Sequence, residues 1–403
     1  MYNLNRAGLK NKIRLRNIFL VFFKIGFIAF GPAMMMEAKK NIVKKLNWID
    51  EKEFLDGLAL AQLLPGATFV SLTIYIGYKL KGLLGAVASF IGFILPPFLI
   101  MVLLSWLYFK YQSITFVNVL FKGMGAVVVA IILNAVWDVA KIIINNIRSI
   151  IIAAISFIIS LYYNNVFLIL LIAAFLGIAL LRKKTNIKDN NLTDKTKLHP
   201  KDMRWKDIII ICISIGLFLA STSFVNKLLR ITGVFFKIGA LVFGNGFTML
   251  PLIQHEVVNV HHWLNLTDFL VGVALGQMTP GPIVITATFI GYKVMGFLGA
   301  LIATLAIFTP SFLLVVTTFG IYSKIKNNKW VSSALNGLIA SFVGLMFIVV
   351  INTGRHALVD VYTTGLSVLS FIMLQFIKLD SKWVILSGSG IYLAVYYLIH
   401  YLR

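Results

Sequence analysis

Cysteine is all but missing from this chain of 403 residues. The single Cys212 excludes an internal disulfide framework and any metal site built from several thiolates. Charge is scarce as well: 13% of the residues are charged against 59% hydrophobic, and the mean hydropathy is +0.91. A soluble domain keeps about 25% charged residues, mostly for its surface, so a water-soluble fold is excluded. Acid is the rarer sign, with 14 Asp+Glu against 37 Lys+Arg, for a formal charge of +23. No compact basic domain exists to dock a duplex, so no nucleic acid is expected as a partner. Basic loops holding the cytoplasmic face of a membrane protein account for the excess. The chain has no P-loop, no His-Glu-x-x-His and no Gly-x-Ser-x-Gly. ATP-driven transport and intramembrane proteolysis therefore have no basis in it, and no enzyme activity, cofactor or metal is expected. The first sixteen residues are basic and polar, and no short apolar core with a small-residue cleavage site follows, so no cleavable signal is expected.

What is present is apolar length. Runs of about 20 residues, enough to span a bilayer, occupy 83–107, 115–136, 207–225, 298–319, 331–351 and 383–402. The fold class is an all-α polytopic membrane protein with the lipid bilayer as its solvent. A homodimer is compatible with such a bundle.

The chain also repeats itself. "FFKIGFIAFGP" (22–32) matches "FFKIGALVFGN" (235–245), and "LALAQLLPGA" (58–67) matches "VALGQMTPGP" (273–282). "YIGYKLKGLLGA" (75–86) matches "FIGYKVMGFLGA" (289–300), and "FILPPF" (93–98) matches "IFTPSF" (307–312). The offset stays between 213 and 215 residues, so two copies of one unit are present. The reading divides the chain into a basic cytoplasmic N-terminus (1–16), a first repeat (17–182), a polar cytoplasmic linker (183–206), a connecting transmembrane helix (207–226) and a second repeat (227–403).

Charge orients the copies. Lys10, Lys12, Arg14 and Arg16, then Lys39, Lys40, Lys44 and Lys45, then Lys79 and Lys81 fall on one side if 17–46 and 53–80 are re-entrant hairpins. Their turns are Gly31-Pro32 and Pro65-Gly66. A kinked spanning helix is the alternative, and it puts some of these clusters outside. Crossings at 83–107, 115–136, 149–163 and 166–182 return the chain inside, and the crossing at 207–225 inverts the second copy. Its flank "QHEVVNVHHWLN" (254–265) carries no Lys or Arg, as an outer loop should, although Lys293 is left on the outer side. Inverted repeats with broken helices are the architecture of secondary transporters, whose site lies at the repeat interface near the midplane.

Each break starts a new half-helix, with unpaired N–H groups and the positive end of its dipole. Starts near Gly31-Pro32, Gly66, Gly244-Asn245-Gly246 and Gly281-Pro282 make an anion site if they converge. Lys24 and Lys237 occupy matching positions within apolar runs, at about 2.5–3.5 kcal/mol each on insertion scales, and are expected at the substrate. Gln62 and Gln277 are likewise paired, and serve either an oxyanion or the helix bundle. Thr279 either lines the site or bonds back to its own helix. Glu256, whose equivalent in copy one is Asn41, is a candidate for proton coupling, though an exposed loop carboxylate is the commoner case. His255, His261 and His262 read as a solvated loop rather than a metal cluster. Glu37 and Asp56 sit near the hairpin mouths, and Trp48 and Trp263 suit interfacial anchors.

These motifs resemble the chromate transporter family of bacteria and archaea in its two-domain, long-chain form, over about 17–135 and 231–350. The resemblance implies a multi-pass plasma-membrane transporter with a cytoplasmic N-terminus that exports the oxyanion chromate and confers resistance. It also implies two homologous halves of opposite orientation. Carried over residue by residue, it points to Lys24, Gly31, Pro32, Gln62, Pro65, Gly66, Lys237, Gly244, Gly246, Glu256, Gln277, Pro280, Gly281 and Pro282. The chain departs from the family pattern at Phe30-Gly31-Pro32, which lacks one Gly, and at Met34–Met36, where a His is usual. It departs again at Asn41, which replaces a Glu, and at Ala67, which replaces the last Pro of a Pro-Gly-Pro. Sulfate or another tetrahedral oxyanion is the alternative cargo. A passive anion channel and a membrane scaffold are the competing classes.

Overall fold

The computed structural model describes residues 13–31, 33–144, 146–163, 165–181, 224–241, 246–319 and 329–401. Most of the linker and connecting crossing, Cys212, Pro32, Gly244 and Asn245 lie outside the described residues. Five of the described helices are long and apolar enough to cross a membrane, which agrees with the polytopic reading.

The two halves unroll the same elements in the same order. The first half runs α1 (Leu15–Ile28), α2 (Ala33–Ala38, continued as a π turn over Lys39–Lys45), α3 (Glu51–Leu63), α4 (Thr68–Tyr111), α5 (Thr115–Ile143), α6 (Ile147–Tyr162) and α7 (Val166–Leu180). The second runs α8 (Phe224–Leu241), α9 (Leu250–Gln254, with a 3-10 turn before it and a π turn after it), α10 (Leu266–Met278), α11 (Thr286–Thr318), α12 (Lys329–Ala357), α13 (Val361–Gln375) and α14 (Ser381–Tyr401). Small details repeat as well. Asn47 and His262, the residues that close the two π turns, both adopt positive φ, near +50°. Asp50 caps α3 and Asn265 caps α10. Lys79 pairs with Glu53, and Lys293 with Asp268, at 3.0 and 3.5 Å. The Lys293 charge that fits poorly with an outer face is thus compensated within the fold.

α4 and α11 are hairpins rather than rods. Non-helical dihedrals at Lys81-Gly82 and Met295-Gly296 reverse the chain, and both glycines have φ near +60°, which suits a residue without Cβ. The legs then pack back on each other. Gly77 meets Gly85, Gly291 meets Gly299, the Phe69 and Phe93 rings meet at a tilt with centroids 4.9 Å apart, and the Thr288 and Thr304 hydroxyls bond at 2.6 Å. The first legs, 68–80 and 286–294, span only about 20 and 14 Å at 1.5 Å per residue.

The halves interlock. The second leg of α4 lies against that of α11 and runs antiparallel to it, with Phe90 on Phe312 at 5.7 Å and Phe98 on Phe297 at 5.8 Å. α5 and α12 are also antiparallel, Gly125 facing Ala357 and Gly354 facing Val129. The last helices are exchanged: α5 packs on α13 and α14, while α12 packs on α6 and α7. Glycines permit the exchange, Gly337 meeting the backbone of Ala173 and Gly177, and Gly123 meeting Tyr392. Large apolar side chains such as Leu99, Leu103, Leu171, Phe175 and Leu305 remain exposed, as a lipid-facing surface requires.

Gly337→Leu should lower the melting temperature of the detergent-solubilised protein markedly, because a Cβ there meets backbone rather than a movable side chain. Gly233→Ala, in open space on α8, should be neutral or stabilising by up to about 1 kcal/mol. Equal melting shifts in the two variants would show that the exchanged helices are not tightly packed.

Candidate functional site

The broken segments meet. α1 ends at Ile28 and α2 begins at Ala33; α3 ends at Leu63 and α4 begins at Thr68. In the second half the matching gap falls between Met278 of α10 and the 3-10 turn Ile283–Ile285. The Gly281 N–H donates to the Ala29 carbonyl at 3.0 Å, so the break of one repeat is tied to that of the other. Gly66 and Gly281 adopt φ of +120° and +96°. Each lies against the second leg of the other repeat's hairpin: Gly66 on Ser311, and Gly281 on Pro97. Pro97 and Ser311 are themselves equivalent positions of the repeat.

A cavity of about 630 Å³ opens between these segments. Every broken segment reaches its wall: Phe30 and Gly31, then Ala67, Thr68 and Phe69, then Phe247, then Gly281, Pro282, Ile283 and Val284. Five helix starts elsewhere are closed by side chains. Asp50, Asn146, Asn165, Asn265 and Asp360 cap α3, α6, α7, α10 and α13. The starts at the cavity, after Ala67, Gly246 and Pro282, carry no side-chain cap. The exposed starts of α1 and α5 lack one too, but water can serve those. Helix starts that reach a cavity without a side-chain cap, at the positive end of helix dipoles, suit an anion.

Of the residues expected at the site, Gly31, Gln62, Gln277, Thr279, Gly281 and Pro282 line the cavity. Pro65, Gly66, Gly246 and Pro280 shape the turns beside it. The Thr279 hydroxyl donates back to the Leu275 carbonyl of its own helix at 2.7 Å. Lys24 and Lys237 are not brought in. Lys24 lies on the exposed face of α1, and has no ion pair among the described residues. Lys237 instead pairs with Glu256 at 3.1 Å and sits over the Phe167 ring.

Glu256 departs from the exposed loop carboxylate that is the commoner case. It is only 5% exposed, because the π turn folds it under α8, and His261 holds its other oxygen at 3.4 Å. His255 is buried in the same turn, which corrects its reading as solvated, whereas His262 is exposed. Among the described residues no three His, Cys, Asp or Glu gather into a metal-binding group. Asn41, at the place equivalent to Glu256, donates to Glu37 at 2.8 Å, and neither residue lines the cavity. Asp56 is exposed and also off the cavity, and Trp48 and Trp263 are half-buried.

The cavity's cations come from elsewhere. Lys378, on the loop joining α13 to α14, and Lys382, in the first turn of α14, line it together with Asp380, and the Lys382 ammonium sits over the Phe30 ring at 4.1 Å. One face of α5 supplies Ile131, Asn134, Ala135 and Asp138. No repeated motif marks these positions: the equivalents of Asn134, Asp138 and Lys382 are Ile348, Asn352 and Leu168. One signal was available, since Asp138 is the single acid within the long, mostly apolar α5.

Comparison with known proteins follows the same two halves. The family model described as "Chromate transporter" matches residues 16–178 and 229–394. A chromate transport protein of Cupriavidus metallidurans is 30% identical over 96% of this chain and 94% of its own length. A probable chromate transport protein of Synechococcus elongatus is 32% identical over 89% of both. An uncharacterized transporter of Methanocaldococcus jannaschii is 32% identical over 93% of this chain and 94% of its own. No solved structure is significantly similar to the chain.

Removing Lys237 strands a buried carboxylate, whereas removing Lys24 strands nothing that is described. Lys237→Ala should therefore destabilise more than Lys24→Ala, and Glu256→Gln added to Lys237→Ala should recover part of the loss. Thermal unfolding of the three variants measures this; equal shifts for the two lysines would remove the buried pair from the account.

Proposed function

The chain belongs to the chromate transporter family, and from that premise we propose that it is a secondary transporter of a divalent tetrahedral oxyanion, chromate first, acting by alternating access. Membership makes it a multi-pass membrane transporter rather than an enzyme. The reading goes further, to a binding site, a mechanism and a direction. One observation carries it: helix starts from both repeats, none closed by a side-chain cap, face one cavity between the halves.

In the proposed complex the N–H groups after Ala67, Gly246 and Pro282 point at the oxyanion. Gln62 and Gln277 donate amide hydrogens, and Lys378 and Lys382 balance its charge from the cavity mouth. Pro32, Gly244 and Asn245 complete the breaks in sequence. Lys24 and Lys237 do not line the cavity in this conformation, and the Lys237–Glu256 pair is the place where a change of state can alter charge on α8. Antiparallel packing of equivalent helices supports inverted repeats, since a two-fold axis along the membrane normal leaves equivalent helices parallel. The short legs of about 20 and 14 Å, against about 30 Å of hydrocarbon, support re-entrant hairpins. The basic clusters then place the N-terminus, the linker and the cavity mouth at Lys378 in the cytoplasm of a bacterial or archaeal cell, the side from which an exporter loads.

In proteoliposomes, Lys382→Ala and Gln277→Ala should slow chromate transport at low substrate by about 10- to 100-fold, the value of a hydrogen bond to a charged group. Lys24→Ala should have the smaller effect. Loss in Lys24→Ala but not in Lys382→Ala would move the site away from this cavity. Transport against an imposed gradient separates a transporter from a channel of the same architecture, and competition by sulfate decides between cargoes.

Topology has its own check. In a Cys212→Ser background, cysteines at Asn190 in the linker and at the exposed Asn259 should react with impermeant thiol reagents from opposite sides. Labelling from one side would exclude inverted repeats.

A further inference from the structure

Phe30 is an odd wall for an anion. It lines the cavity from the break between α1 and α2, and the face of an aromatic ring carries the negative part of its quadrupole. A bare ring there repels an oxyanion. The ring is not bare, however, because the Lys382 ammonium sits 4.1 Å from its centroid. Lys382 belongs to the first turn of α14, where the positive end of the helix dipole opposes a lysine. Ring and ammonium each occupy a place that is unfavourable alone, and each relieves the other.

Both partners are held by their backbones. Phe30 forms an isolated parallel bridge with Gly281, whose N–H donates to the Ala29 carbonyl at 3.0 Å, and the Phe30 carbonyl accepts from the Ala33 N–H at 3.0 Å. On the other side, the Asp380 carbonyl accepts from the Trp383 and Val384 N–H groups at 3.0 and 3.2 Å, which fixes the turn that carries Lys382. The contact thus joins the breaks of both repeats to the start of α14.

Elsewhere the chain holds lysines differently. Lys79, Lys122, Lys237 and Lys293 also face rings, and each has a carboxylate within 3.5 Å. Those charges are spent on ion pairs. Lys382 has Asp380 only at 3.9 Å, and that carboxylate is 69% exposed to screening solvent. Asp138, the other acid of the cavity wall, accepts from Asn134 at 3.1 Å. The close seat of Lys382 is therefore a ring, which attracts a cation without cancelling its charge.

We infer that Phe30 is a positioning residue for the cargo: its ring seats the Lys382 ammonium with its charge free, and the bound oxyanion completes a stack of ring, ammonium and anion. This rests on the transport reading and deepens it by naming the residue that aims the cation. Phe30 acts only through Lys382. Aromaticity at position 30 is what counts, so tyrosine replaces it and an aliphatic side chain of similar bulk does not.

The test is a double-mutant cycle read as chromate Kd, by calorimetry on the purified full-length protein, with Phe30→Leu, Lys382→Met and the two combined. Phe30→Leu should weaken binding about threefold to tenfold, the range of a partly desolvated cation–π contact, while Phe30→Tyr should stay within about twofold of wild type. In the Lys382→Met background Phe30→Leu should cost nothing, because the ring then has no cation to hold. A purely structural role for Phe30 gives the same loss in both backgrounds. Phe30→Met serves if Phe30→Leu does not fold, and the contrast between Phe30→Tyr and Phe30→Leu decides if Lys382→Met binds too weakly to measure. Equal losses in the two backgrounds, equal losses for Tyr and Leu, or Phe30→Leu that binds like wild type overturn the inference and leave the transport reading standing. Wild type that binds no chromate overturns both.

Discussion

A helix broken inside hydrocarbon leaves N–H and C=O groups that no water can reach, and the structure is organised around finding them partners. Each repeat breaks twice and cannot satisfy those breaks alone. The Ala29 carbonyl accepts a hydrogen bond from the Gly281 N–H of the other repeat, and the turns at Gly66 and Gly281 are each seated against the other repeat's hairpin. The exchanged helices follow from the same need. α5 closes over the second repeat through α13 and α14, and α12 over the first through α6 and α7. Neither half presents a finished surface without its twin.

The helix starts that no side chain closes are then informative. Asx residues close the helix starts at the ends of the bundle, and the chain plainly has such residues to spend. At the cavity it places Ala67, Gly246 and Pro282 instead. Uncapped starts in a protein-lined space fit a role in which the cap arrives with the cargo. The cavity is not two-fold symmetric, however. Its polar wall and basic mouth come from α5 and the α13–α14 loop, where the repeat equivalents are apolar or uncharged. A repeated scaffold thus encloses an asymmetric cavity.

Much of the scaffold was legible because repetition amplifies it. The breaks at 29–32, 64–67 and 279–282 were marked by Pro and Gly, and matching copies separated signal from chance. The same reasoning favoured Lys24 and Lys237, because they too are repeated, and there it failed to find the cavity. Repetition reports what both halves need, and a face of α1 or α8 that meets lipid or a neighbouring helix is needed twice as readily as a site. Lys378, Lys382, Asn134 and Asp138 occur once, so no internal comparison could raise them. Of the two settings weighed for Glu256, the exposed loop is ruled out: it is buried in a π turn and paired with Lys237 of α8.

By itself, then, the sequence determined that this is a helical membrane protein made of two like units, with breaks at fixed places in each. Apolar length and the conformational demands of Pro and Gly are local properties and need no partner to act. Which breaks face each other, which charges line the space between them and which are spent on ion pairs were decided only in the tertiary structure. Those outcomes depend on how helices from distant parts of the chain rotate and exchange when packed. A rotation of one residue on a helix, about 100°, moves a side chain from the lipid to the cavity.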